Sequence, residues 1–145
     1  NGITPPADII ITNVRPTSYQ VAQNLTAGST YYTDRTYTIT SLPSKFTTAT
    51  WIKTTNNDKN NTSSSFLSFA LTKNAIVYVA YDSRATSLPA WLSDFTPTGD
   101  TITAGGGNLK VYAKFYNSGN VVLGGNMASP AAGAYTNYVV LAQEN

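Results

Sequence analysis

Cysteine and histidine are both absent from this 145-residue chain. Without thiols there is no disulfide framework, no thiolate nucleophile and no Cys-ligated metal. Without imidazole the Ser-His-Asp arrangement, the usual general base and every imidazole metal site are excluded as well. Charge is also scarce, at 11% of residues, against about a quarter in an average soluble protein. The net charge of +2 and the scatter of Lys and Arg leave no basic stripe of the kind that tracks a nucleic-acid backbone. No apolar run approaches the ~20 residues of a membrane helix, so neither a nucleic-acid partner nor membrane insertion is expected. No two of the six Asp residues are distinguished as an acid-base pair, and Glu144 stands at the end of the chain, so carboxylate catalysis has no recognisable signature. The chain is read as a binding protein, not an enzyme.

What is plentiful is hydroxyl, amide and aromatic ring: Thr, Ser and Asn recur throughout, with 10 Tyr, 5 Phe and 2 Trp. A surface made polar by hydroxyls and amides suits life outside the cell. The length fits one domain with a proper core. Asn1-Gly2-Ile3-Thr4-Pro5-Pro6 lacks a basic-then-apolar signal pattern; residues 1–7 are expected to form a linker and 8–145 a single domain. A secretion signal would already have been removed or belong to a larger precursor.

Period-two patterning runs through the domain. Strands are expected at Asp8 to Val14, Tyr19 to Leu25, Tyr31 to Thr40, Thr48 to Thr54, Ser64 to Leu71, Ile76 to Tyr81, Leu109 to Tyr116, Val121 to Leu123 and Tyr135 to Ala142. Lys73-Asn74 and Asn117-Ser118-Gly119-Asn120 read as hairpin turns. Thr55 to Ser65 is too polar to be core. Ser93 to Gly107 reads as a long connection broken by Pro97-Thr98-Gly99-Asp100 and Gly105-Gly106-Gly107. A single helical turn fits Pro89 to Leu92. About nine short strands without a long helix predict an all-β antiparallel sandwich of jelly-roll or immunoglobulin-like type.

Ile76 to Leu92 joins the most strand-like run to the densest cluster of functional side chains: Tyr81, Asp82, Arg84 and Trp91. A sugar ring offers an apolar C–H face and a fringe of hydroxyls, so it needs a flat ring to stack on and fixed polar groups beside it. These four residues supply both. The competing reading is that Trp91 fills the core while Asp82 fixes the turn with Arg84 or a backbone amide. Trp51 with Asn57 and Asp58 is a second candidate, its amide and carboxylate suited to hydroxyls, against a core Trp under a solvated loop. Asp34-Arg35 between Tyr32 and Tyr37 is a third, against a structural pair. No cofactor is required. Calcium is a weak candidate, since Asp and Asn oxygens suit it but no EF-hand spacing occurs. Asn24-Leu25-Thr26 and Asn60-Asn61-Thr62 match the glycosylation pattern.

VYVAYDSRATSLPAWLSDFTPTG (Val77 to Gly99), YTDRTYTIT (Tyr32 to Thr40), FLSF (Phe66 to Phe69) and VVLGGNMAS (Val121 to Ser129) resemble the accessory, carbohydrate-binding-module-like β-sandwich domains fused to secreted bacterial polysaccharide-degrading enzymes and surface proteins. The resemblance runs from about Ile9 to Ala142. It implies an extracellular or cell-surface, non-catalytic domain, carbohydrate-binding or structural, belonging to a longer polypeptide and partnered by polysaccharide. The alternative is a structural subunit of an extracellular fibre or surface assembly, in which the N-terminal segment adds a strand to the sheet edge of a neighbouring copy.

Overall fold

The computed structural model describes residues 9–145, so the expected linker at residues 1–7 lies outside the described residues. Ten strands run β1 (Ile11–Arg15), β2 (Gln20–Ala22), β3 (Ile39–Ser41), β4 (Thr50–Lys53), β5 (Leu67–Leu71), β6 (Ala75–Asp82), β7 (Thr96–Ala104), β8 (Leu109–Tyr116), β9 (Gly119–Leu123) and β10 (Val139–Glu144). All their pairings are antiparallel. They form a three-stranded sheet, β1-β5-β9, and a seven-stranded sheet, β2-β4-β10-β6-β8-β7-β3. The expected antiparallel sandwich is what the chain forms.

The large sheet is buried on both faces, which explains why β6 and β10 are apolar at consecutive positions instead of alternating. One face carries Val77, Val79 and Tyr81 of β6 and Val140 of β10, packed with Leu67, Phe69 and Leu71 of β5 and Val121 of β9. The other carries Ala80, Val111 and Leu141 beneath Leu25, Tyr31, Tyr32 and Phe46. Each such side chain fully removed from water contributes ~1.5–3 kcal/mol, enough in sum to hold a domain that has no crosslink. Among the described residues no helix is long and apolar enough to cross a membrane.

Four expectations need correction. The turn at 72–74 does not close a hairpin, because β5 belongs to the small sheet and β6 to the large one; the turn at 117–118 likewise carries the chain from β8 to β9 across the sandwich. Adjacent strands of opposite phase are brought over the core, not side by side. The expected connection at 93–107 contains β7, a nine-residue strand. The expected strand at 31–40 is mostly irregular, with strand geometry from Ile39 and isolated bridges at Tyr32 and Thr38, since Tyr31 and Tyr32 both turn inward to cover the large sheet. β1 itself pairs with β5 at the edge of the small sheet, Ile11 opposite Leu71 and Arg15 opposite Ser68.

Candidate functional site

Asp82 is the last residue of β6 and is 1% exposed. A carboxylate so deeply buried must be paired, and its partners come from two loops, the one after β6 and the one before β10. Arg84 grips it as a fork, Nε to Oδ1 and Nη2 to Oδ2, both at 2.9 Å, while its backbone N–H donates to Oδ1 at 2.9 Å. The backbone N–H groups of Tyr135 and Thr136 donate to Oδ2 at 2.7 and 3.0 Å. Burial pushes the Asp82 carboxyl up, but the hydrogen bonds from the side chain and backbone of Arg84 and from the Tyr135 amide outweigh it and hold the group below its ordinary range. The same side-chain bond raises Arg84 further above its ordinary value.

Arg84 is thereby fixed at the surface, its side chain 44% exposed. Its Nη2 also donates to the Gly106 carbonyl at 3.0 Å, tying in the turn between β7 and β8. That turn depends on glycine: a Cβ on Gly107, at φ +132°, would stand 2.5 Å from Arg84 Nη2, and one on Gly106 would stand 2.6 Å from the Tyr37 ring. Tyr31 supports Gly106 from below, its hydroxyl accepting the Gly106 N–H at 2.9 Å. Burial raises the Tyr31 phenol above its ordinary range, so it stays neutral. Tyr135 lies against the guanidinium, its ring centroid 4.9 Å from Arg84 Cζ, and is 64% exposed. Tyr37, on the other side of the glycine turn, is 37% exposed. The result is a surface with the Tyr135 ring against a rigid guanidinium and the Tyr37 ring at the adjoining glycine turn, an apolar face beside fixed donors.

The residues singled out in the sequence are distributed differently from one another. Asp82 and Arg84 meet as one unit. Tyr81 is fully buried, its hydroxyl donating to the Asn126 carbonyl at 2.5 Å; burial, then the Asp82 charge, raises its phenol. Trp91 is half-buried in the 3-10 turn Ala90–Asp94. Its indole N–H donates to the Gly125 carbonyl at 2.9 Å and its ring packs on Tyr138, centroids 5.1 Å apart. A Cβ on Gly124 would overlap that indole. Trp51 is 3% exposed, within the core beneath the segment 25–49, so it presents no face to a ligand. The physical reason is the same for both: the large rings fill space where loops cross the sheets. Asn57 and Asp58 lie in the 3-10 turn Asn56–Asn60, away from Arg84's fork. Asn57 accepts from Arg35 Nη2 at 2.9 Å, and Asp58 accepts from the Tyr19 hydroxyl at 2.6 Å. Asp34 accepts the backbone N–H groups of Asn56 and Asn57 at 2.7 and 2.9 Å, so Asp34-Arg35 clamps that loop.

Tyr135 was not singled out from the sequence, and Tyr37 entered there only as a flank of Asp34-Arg35. Tyr135 is 53 residues from Asp82 in sequence, and no local pattern marks it as a partner of Arg84. Among the described residues no group of three or more His, Cys, Asp or Glu is placed to hold an ion.

No protein-family model matches the chain, and no curated protein matches it. Among solved structures it is similar to one described as the structure of a beta-glucuronidase from glycoside hydrolase family 2, with a TM-score of 0.81 and 23% identity. The match covers 96% of this chain and 15% of that one. At that identity the likeness is one of fold.

Proposed function

We propose that this chain is a non-catalytic, extracellular module that holds a polysaccharide on the surface formed by Tyr135, Arg84 and Tyr37, as one part of a longer carbohydrate-active polypeptide. The observation that carries the reading is the Tyr135 ring, 64% exposed, held against a guanidinium that Asp82 locks in place. A mostly exposed ring beside a pre-positioned fork loses little freedom when a sugar arrives, which favours binding. The fold likeness supports the modular part: a unit of this size matches a small share of a far longer chain whose description is that of a glycoside hydrolase. The low charge and hydroxyl-rich composition support an extracellular setting. Sugar C–H groups stack on the tyrosines, and the guanidinium edge not committed to Asp82 and Gly106 donates to ring hydroxyls.

The test is retention on a panel of insoluble polysaccharides with Tyr135→Ala and Tyr37→Ala beside the unmodified chain. Retention of the unmodified chain on at least one polysaccharide, lost tenfold or more in Tyr135→Ala with an unchanged melting temperature, supports the reading. Undiminished retention in both variants refutes this placement of the site. Sedimentation of the same sample checks the assembly alternative, for which a polymer is the expected result.

A further inference from the structure

Strands β7 and β8 fall out of step at one place. Pro97 pairs with Tyr112 and Thr101 with Lys110, so Thr98, Gly99 and Asp100 together stand opposite Val111 alone. Gly99 takes φ +81° to allow it. The distortion is held in place on both sides. The Thr98 hydroxyl donates to the Val111 carbonyl at 2.9 Å in place of a ladder bond, and the Asp100 N–H donates to that hydroxyl at 3.1 Å. Asp100 is also bound to Lys45 at 2.6 Å, which anchors the bulge to the segment 44–48. Beside the bulge lies a cleft of about 310 Å³ lined by Pro97, Gly99, Asp100 and Thr101 of β7 and by Lys110, Val111 and Tyr112 of β8.

The chemistry of this cleft is one-sided. Opposite partners in an antiparallel ladder share a face, so Lys110 and Tyr112 face the side of Tyr81 and Val79, where the small sheet no longer covers them: Lys110 is exposed and Tyr112 half-buried. Lys45 neutralises Asp100, and the Asp100 carboxyl is held below its ordinary range by that bond. Lys110 forms no ion pair among the described residues. The cleft therefore presents one uncompensated ammonium, a tyrosine wall and the exposed Thr101. Its volume suits one sugar ring and is small for a peptide strand.

We infer that this cleft is a second glycan subsite, selective for a carboxylate-bearing sugar unit: a uronate whose ring lies on Tyr112 and whose carboxylate meets Lys110. The inference rests on the reading of the chain as a glycan binder and adds the class of glycan and a second place of grip. A neutral sugar would leave the ammonium without a counter-charge, whereas a uronate supplies a charge-assisted hydrogen bond to it. Two grips on one chain raise retention on a polymer more than on a single sugar unit.

The test is affinity electrophoresis of the 145-residue chain in gels containing polygalacturonate, alginate or, as the neutral polymer, hydroxyethylcellulose, with Lys110→Gln, Lys114→Gln and Tyr135→Ala run alongside. Lys114 lies on the same strand, over the rings of Phe95 and Tyr116 and outside the cleft lining, so its substitution removes the same charge without touching the site. The expected result is that Lys110→Gln weakens binding to one of the acidic polymers at least fivefold and leaves the neutral gel unchanged, while Lys114→Gln changes either by less than twofold. Equal loss in the two lysine variants, or none in Lys110→Gln, overturns the subsite. If Tyr135→Ala alone loses retention, the subsite falls and the Arg84 surface stands; if Lys110→Gln alone loses it, the subsite stands and the Arg84 surface falls. An unmodified chain that no gel retards refutes both.

Discussion

The aromatic residues divide into two populations with opposite duties, and the division runs against what size and rarity suggest. Both tryptophans serve the interior: Trp51 is sealed at 3% exposure, and Trp91 spends its N–H on Gly125 and its ring on Tyr138. The open rings are Tyr135, against the Arg84 guanidinium, Phe115 on β8, and Tyr37, which lies beside Gly106. A tryptophan sheds the most water when it packs, so the core claims it. A tyrosine keeps a polar tip that tolerates the surface. Rings that hold the fold and rings left open are therefore distinguished by their surroundings, not by size or rarity.

Substitutions on the two sides of this division should fail in different ways. Trp51→Ala empties a sealed space and should lower stability by ~3–5 kcal/mol, read by chemical denaturation, with polysaccharide affinity of the folded fraction unchanged. Asp82→Asn joins the two populations. It leaves the Arg84 fork half-satisfied and should cost ~2–4 kcal/mol while also weakening binding. Gly107→Ala forces a side chain onto φ +132° and into Arg84 Nη2; a loss of ~1–3 kcal/mol and a measurable drop in affinity are expected. Tyr135→Ala should move stability by less than ~0.5 kcal/mol and affinity by about tenfold.

Acid sharpens the contrast through the same carboxylate. The Asp82 carboxyl is held below its ordinary value, which is about 3.9 in the unfolded chain, so the unfolded state takes up a proton first as pH falls. Its contribution to stability is complete above about pH 4 and is lost as pH drops through the lowered folded value. Asp100, lowered by its bond to Lys45, acts in the same direction. Denaturation midpoints measured between about pH 5 and pH 2 should therefore fall, and less steeply in Asp82→Asn. Equal slopes in the two proteins would remove Asp82 from this account.

Much of the scaffold was readable from alternation. Leu109 to Tyr116 keeps a strict period of two and forms a strand with those bounds. The bulged β7 was hidden because Pro97, Gly99 and Asp100, the residues that make its distortion, are also the residues of turns. The sheet assignments were hidden for another reason: a two- or three-residue turn between apolar strands looks the same whether it closes a hairpin or crosses the sandwich. At the site, Asp82 and Arg84 were legible because they are close in sequence and opposite in charge. Tyr135 was not, since its place is set by a hydrogen bond from its backbone N–H to a carboxylate 53 residues away. The burial of Trp51 was one of two readings the sequence offered; what covers it was hidden, because that segment alternates like a strand yet folds over the sheet instead of joining it.

The most direct test follows the two indole N–H signals by nitrogen-edited NMR while the oligosaccharide of the best-retained polysaccharide is added. The amides of Arg84, Gly106, Gly107 and Tyr135 are expected to shift while both indole signals stay in place. Indole signals that move furthest, with Tyr135 unaffected, would contradict this placement of the site.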